Sequence, residues 1–322
     1  MEKANAAPVP LPRPYVGGAV MIGRANPRRI AHSPVEWPTL LVTITIYAGW
    51  IAVTYYHAVL PDVILGLLGG WLIAWHGSLQ HETIHGHPTR DRRINAAIGF
   101  PPLALWLPYA LYSRSHAAHH HSPAITDPRH DPESRYVATR SSASLWLGRM
   151  QAPLLGRLLL GPPIAVLSLG ADEARRLVNT PSAVARDWLP HLTAMAIVLC
   201  WLSWTGFGLG RYIVLFVYPG MALTLLRSFV EHRADLNAPG RAATVERGGV
   251  LGLLYLNNNL HAAHHDRPDL AWYRLPAYHA AHRARLAPDH RRTYRGYGAI
   301  LRRFAIRRHD VLTHPDYSGE PS

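Results

Sequence analysis

The chain has one cysteine, Cys200, in 322 residues. A single thiol cannot build a disulfide framework, a Cys-ligated zinc site or an iron–sulfur cluster. Lysine is almost absent as well: only Lys3 is present, so nearly all of the 33 Lys and Arg are arginine, whose permanent, planar charge suits lipid phosphates and docking to an acidic protein. Charged residues make up 16% of the chain against 48% hydrophobic, well under the roughly one quarter usual in soluble domains. That shortage argues against a soluble protein and for a membrane. The excess of 33 basic over 20 acidic residues would suit nucleic acid, but it accompanies long uncharged runs and ten Trp. It therefore reads as cytoplasmic flanks, with no nucleic-acid partner.

Residues 1–36 are rich in Pro, Gly and Ala, carry Arg13, Arg24, Arg28 and Arg29, and lack an apolar core followed by a small-residue cleavage site. They are expected to form a cytoplasmic leader. Four uncharged runs approach the ~20 residues a bilayer requires: 38–56, 63–79, 188–207 and 212–226. The fold expected is all-α and integral to the membrane, with four transmembrane helices in two hairpins and a cytoplasmic helical cap, over residues 37–282. A basic cytoplasmic tail, 283–322, follows. With these spans, 32 of the 33 Lys and Arg fall on one side, Arg211 being the exception; the positive-inside rule makes that side, and both termini, cytoplasmic.

Two further runs do not fit as spans. Ile94 to Ser113 is interrupted by Pro101, Pro102 and Pro108, which would free backbone groups in lipid, so it is expected to be re-entrant or interfacial. Pro153 to Gly170 contains Arg157, Pro162 and Pro163 and is expected to lie at the membrane surface.

Much of the chain's 21 His falls in three clusters: HETIHGHPTR from His81, HAAHHH from His116 and HAAHH from His261. On a helix, positions i, i+3 and i+4 share a face, so each cluster can aim imidazoles at one metal region. A common metal centre needs all three on one side of the membrane, which the four-span arrangement provides. Two other chemistries compete. HETIH also fits the HExxH pattern of an intramembrane zinc protease, with Glu82 as general base, but leaves both HxxHH clusters unused. A metal transporter needs polar groups strung through the membrane, and the apolar runs offer almost none.

Taken as a set, these motifs resemble the membrane fatty acid desaturase and hydroxylase superfamily, over about His76 to His282. The resemblance implies a non-haem centre of two iron ions held by His81, His85, His116, His119, His120, His261, His264 and His265, with His232 in SFVEHRA completing the set. It implies O2 as co-substrate. Imidazole-rich ligation suits a redox metal. Ligating imidazoles usually pass their other N–H to a carboxylate or carbonyl; the candidates near the clusters are Glu82, Asp127, Asp131, Glu133, Glu231 and Asp266. One of Asn257, Asn258 and Asn259 is expected either to hold a metal-bound water or to cap a helix. His87 and His121 extend their clusters, His76 is expected to be a neutral hydrogen-bonded ring, and His279 and His282 are expected to face solvent or headgroups.

The reaction this implies is insertion of a C=C bond into a fatty-acyl or related aliphatic chain, with hydroxylation or decarboxylation open to the same ligands. The motif flanks are similar to a bacterial branch that includes dihydrorhizobitoxine desaturase and 1-alkene-forming fatty acid decarboxylases, which keeps a small amino-acid substrate open and suggests a bacterial inner membrane. No Cys-rich electron carrier is fused to the chain, and THPDYSG lacks the HPGG pattern of a cytochrome b5. A separate ferredoxin, rubredoxin or cytochrome b5-type donor is therefore expected.

Overall fold

A computed structural model describes residues 35–137, 142–234, 242–287 and 292–315, all within one unit, Pro34–Ser322. Residues 1–34 of the expected leader lie outside the described residues, as do 316–322 of the tail. Helix α1 (Trp37–Tyr55) opens on Pro38, and α2 (Asp62–Ile84) continues through the HETIH motif. Then come α3 (Arg92–Gly99), α4 (Tyr109–His121) and α5 (Ser142–Gln151). Two long helices follow, α6 (Leu154–Asn179) and α7 (Pro181–Thr205). A last rod, Leu209–Ser228, is built from α8 (Leu209–Tyr212), a π-helical turn (Ile213–Val217) and α9 (Tyr218–Ser228). Pro219 has no N–H to continue the α ladder, and the Tyr218 N–H reaches back to the Ile213 carbonyl instead, which is the wider turn a proline permits.

Among the described residues, five helices are long and apolar enough to cross a membrane: α1, α2, α6, α7 and the Leu209–Ser228 rod. The sequence expectation was four. The addition is α6, whose Pro162 and Pro163 lie within the helix.

Helix α2 and the last rod pack through small residues. A Cβ on Gly69 would stand 2.3 Å from the Phe216 ring, and one on Gly220 2.5 Å from Ile73. Close backbone approach is how helices gain dispersion contact when lipid supplies no hydrophobic drive.

The helix is interrupted in the proline-containing segment. Between α3 and α4 the backbone is irregular, and four of its carbonyls, from Ile98 to Leu105, are taken up by side chains of the long helices. Tyr47 donates to Ile98 O at 2.5 Å, Gln80 to Gly99 O at 2.7 Å, Tyr212 to Leu103 O at 2.6 Å, and the His191 ring meets Leu105 O at 2.9 Å. Irregular backbone packed among apolar helices persists only when its polar groups are satisfied by protein.

The C-terminal third is not wholly helical. After β1 (Thr244–Arg247) come α10 (Val250–Leu254), α11 (His261–Asp266) and α12 (Leu275–Leu286), then β2 (Thr293–Gly296) and α13 (Tyr297–Phe304). The strands pair in parallel, Val245 opposite Tyr294, where β-branched and aromatic side chains fit a pleated ladder. Residues 292–315, within the expected tail, are therefore built into the fold. Tyr294, Tyr297, Ile300 and Phe304 are buried, as is His314, whose ring meets Thr126 Oγ1 at 3.1 Å.

Candidate metal centre

The three histidine clusters arrive from different elements. His81 is on the last turn of α2 and His85 caps it. His116, His119 and His120 share the C-terminal half of α4, and His261, His264 and His265 make up half of α11. His232 follows α9 and is held by an antiparallel bridge to Ala242.

These nine rings sort into two sets. His81, His85, His116, His120 and His264 form one, and His119, His232, His261 and His265 the other; within each set the nitrogens offered all lie within 4.8 Å of one another. Neighbouring members present Nε2 to Nε2: His85 and His116 at 2.9 Å, His264 and His120 at 3.1 Å. In the second set the pairs are His261 with His232 at 2.9 Å, His265 with His261 at 3.1 Å and His119 with His265 at 3.3 Å. Nitrogens about 2.1 Å from a shared ion stand about 3.0–3.4 Å apart at adjacent corners, so the spacing fits a metal in each set. Both HxxHH clusters are also split, whereas His81 and His85 stay together. His116 and His120, four apart, serve one set while His119 serves the other; His264 and His265 divide the same way.

The far sides of the rings fix their tautomers. His116 Nδ1 meets Glu133 Oε1 at 3.0 Å, His119 Nδ1 meets Asp131 Oδ1 at 2.8 Å, and His261 Nδ1 meets Asn258 Oδ1 at 3.0 Å. A proton on each Nδ1 leaves the Nε2 lone pair facing the cluster. Burial, reinforced by neighbouring rings, holds His261, His264 and His265 well below the usual imidazole range and brings His120 to about 3. Neutral imidazoles are the form that can donate to a metal. For Glu133, burial is the largest single push and acts upward, but the bond to His116 and the attraction of the His116 and His119 rings together outweigh it, and the carboxylate falls to about 2. Asp131 is also raised most by burial, yet lowered on balance by the His119 ring together with the backbone N–H groups of Thr126 and Glu133.

The other expected supports are placed differently. Glu82 is buried, but Oε2 accepts from the Trp272 backbone N–H at 3.1 Å and Oε1 stands 3.9 Å from His81 Nδ1, too far for a hydrogen bond. Glu231 pairs with Arg227 at 2.8 Å and approaches His261 Nδ1 only to 3.6 Å. Asp127 accepts from the His130 ring and the Arg129 backbone, shaping the loop after α4. Asp266 turns outward to Arg285 and Tyr278. The reason is local: Asp266 adjoins His265 in sequence, yet on a helix successive side chains diverge by about 100°.

None of the three asparagines caps α11, whose N-cap is Leu260. Asn257 adopts a left-handed backbone, φ 55°, and ties to Trp272 O; Asn259 ties to Val245 O. Asn258 lies between the sets, its Nδ2 3.5 Å from His81 Nε2.

His76 is buried with its ring 3.2 Å from Tyr47 Oη, the hydrogen-bonded ring expected. His87 is buried against Glu36 at 2.9 Å, and His121 is exposed, bonded to Ala117 O of its own helix. His279 is a correction: it is buried, with neither ring nitrogen hydrogen-bonded. The basic segment around it is amphipathic, and position 279 falls on the same inner side of α12 as Leu275, four residues earlier.

Glu231 is among the expected carboxylates, but its partner Arg227 is not legible as part of the site. Arg227 read as an interfacial residue bounding a span, and only the fold buries it with Glu231 beside the second set.

Residues 58–298 match the family model described as fatty acid desaturase. No curated protein matches the chain. The family match covers most of the sequence, and the chain belongs to the fatty acid desaturase family.

Proposed function

We propose that this member of the fatty acid desaturase family is an O2-dependent di-iron oxidoreductase that inserts a C=C bond into a fatty-acyl or related aliphatic chain. The observation that carries this reading is the pairing of two all-imidazole sets, built from residues 81–265 and backed at Nδ1 by Glu133, Asp131 and Asn258. In it, His81, His85, His116, His120 and His264 hold one iron, and His119, His232, His261 and His265 the other. Such a pair supplies the oxidising power to remove hydrogen from an unactivated C–H bond using O2 and external electrons.

The chain's own residues contribute in three ways. The carboxylates hold the Nδ1 protons and keep each Nε2 lone pair directed inward. Asn258 spans the two sets. The buried helices around them exclude bulk water from an oxidising centre. Hydroxylation, decarboxylation and desaturation of an amino-acid substrate are alternatives on the same scaffold, separated by where the substrate carbon rests. The zinc-protease reading finds no support in Glu82, which is committed to the Trp272 backbone.

Four of the five apolar helices cross the membrane in this proposal, with the histidines and termini cytoplasmic. Helix α6 lies along the surface. Supporting this, both its ends are tied to elements on the histidine side: Leu155 N–H donates to Ala305 O at 2.9 Å, and Arg176 pairs with Asp187 at 2.9 Å, itself bound to Arg114 of α4. A separate acidic electron carrier of ferredoxin, rubredoxin or cytochrome b5 type docks on the arginine-rich face; its reduction rate should fall as salt rises.

The test is metal analysis of the purified chain together with mass spectrometry of products after expression with acyl lipids and, separately, vinyl-ether amino-acid precursors. Two iron per chain and a new alkene support the reading. One zinc per chain, or peptide cleavage, rejects it.

A further inference from the structure

A second basic feature has none of the nine clustered histidines in its lining. A cavity of about 70 Å³ opens between the loop after α4, the start of α6 and the C-terminal stretch, lined in part by Arg135, Gln151, Arg157, Phe229 and Asp310. One water needs roughly 10–15 Å³ by the same measure, so a small polyatomic anion fits.

Its charges do not balance. Arg157 donates to Gln151 Oε1 at 3.0 Å, and among the described residues no carboxylate pairs with it. Arg135 donates to Phe229 O at 2.8 Å and meets the His309 ring at 2.7 Å, while its buried Nε has no hydrogen-bond partner. Asp310 is the lining carboxylate, and it is shared: it accepts from Tyr136 Oη at 2.5 Å and faces Arg135 and Arg233, each at 3.6 Å. Two guanidiniums thus line the cavity against one carboxylate, which Arg135 shares with Arg233 and Tyr136 and which leaves Arg157 without one among the described residues. Partly buried, under-compensated guanidinium is costly, and an oxyanion would offset that cost through forked hydrogen bonds.

The surroundings say what carries the anion. The elements that supply the lining also carry exposed apolar side chains: Trp146 (60%) and Met150 on α5, which gives Gly148 and Gln151; Leu155 and Leu159 on α6, which gives Arg157; and Ile306 (79%), four residues before Asp310. A charged socket on elements that also present exposed apolar side chains is the complement of an amphiphile.

We propose that this cavity binds the phosphate headgroup of an anionic lipid whose chains lie on the exposed face of α5 and α6. The site needs the chain to reside in a membrane but needs no metal, so it fails or stands apart from the oxidative reading.

The probe is thermal unfolding of the delipidated full chain in neutral detergent with short-chain phosphatidic acid, the matching diacylglycerol, or inorganic phosphate. Phosphatidic acid should raise Tm by several degrees, as a ligand well above its Kd does; diacylglycerol should not, and phosphate should act only weakly. Arg157→Gln should weaken the phosphatidic acid response about tenfold, Arg157→Lys less so, and both should keep the wild-type metal content. Equal stabilisation by diacylglycerol, or an unchanged response in Arg157→Gln, overturns the proposal. A response to inorganic phosphate matching that to phosphatidic acid overturns the lipid as its source. Should Arg157→Gln not fold, the comparison of the two lipids on the native chain still decides.

Discussion

His119 Nδ1 and Asp131 Oδ1 stand 2.8 Å apart, both buried, so the ring that opens the second histidine set is oriented by a carboxylate twelve residues further along. Asp131 also accepts from the backbone N–H of Thr126 and of Glu133. The loop after α4 is thereby folded around the same side chain that sets the tautomer.

Asp131→Asn should accordingly keep the fold yet reduce metal affinity by about 10–100-fold, the usual cost of losing a carboxylate behind a ligating imidazole. Metal content after dialysis against a mild chelator measures this. Full retention would show that the carboxylate does not act through His119.

His264→Ala and His119→Ala remove one member from each set and should each abolish activity and lower bound iron. His121→Ala is the control within the same motif, because its exposed ring bonds only to its own helix, and its metal content and turnover should stay at wild type. Loss of iron in His121→Ala, or its retention in the other two, would count against the assignment.

Gly69→Leu should destabilise the chain by about 1–3 kcal/mol or more, the cost of overpacking a filled interface. The added side chain meets the Phe216 ring at distances no real Cβ tolerates. A lower Tm in detergent checks this. Gly206→Ala tests backbone strain instead: it has open space but φ of 74°, so any loss there reflects conformation, not contact.

Tyr212→Phe deletes the hydroxyl that donates to Leu103 O at 2.6 Å and accepts from Trp50 Nε1 at 2.9 Å. A buried carbonyl left unpaired costs about 1–3 kcal/mol. Thermal unfolding should show that loss while metal content per folded chain stays unchanged, since the contact is remote from the histidines.

Much was legible from the sequence because it lies in local spacing. The 3.6-residue period fixes which residues of HETIH, HAAHHH and HAAHH share a helical face, and run length limits where a helix can cross a bilayer. Proline position alone foretold that Ile94 to Ser113 would break, since a missing N–H is a property of the residue and not of its neighbours. Tertiary structure decided the rest. Division of the rings into five and four splits every HxxHH motif between two sets, which depends on how α2, α4 and α11 converge. Choosing Asp131 and Glu133 over Asp127 and Asp266 depends on loop geometry, because carboxylates equally near in sequence point in different directions. The burial of Arg227, Glu231 and His279, and the pairing of Thr244–Arg247 with Thr293–Gly296, join residues whose separation along the chain carries no periodic signal. Only packing brings them together.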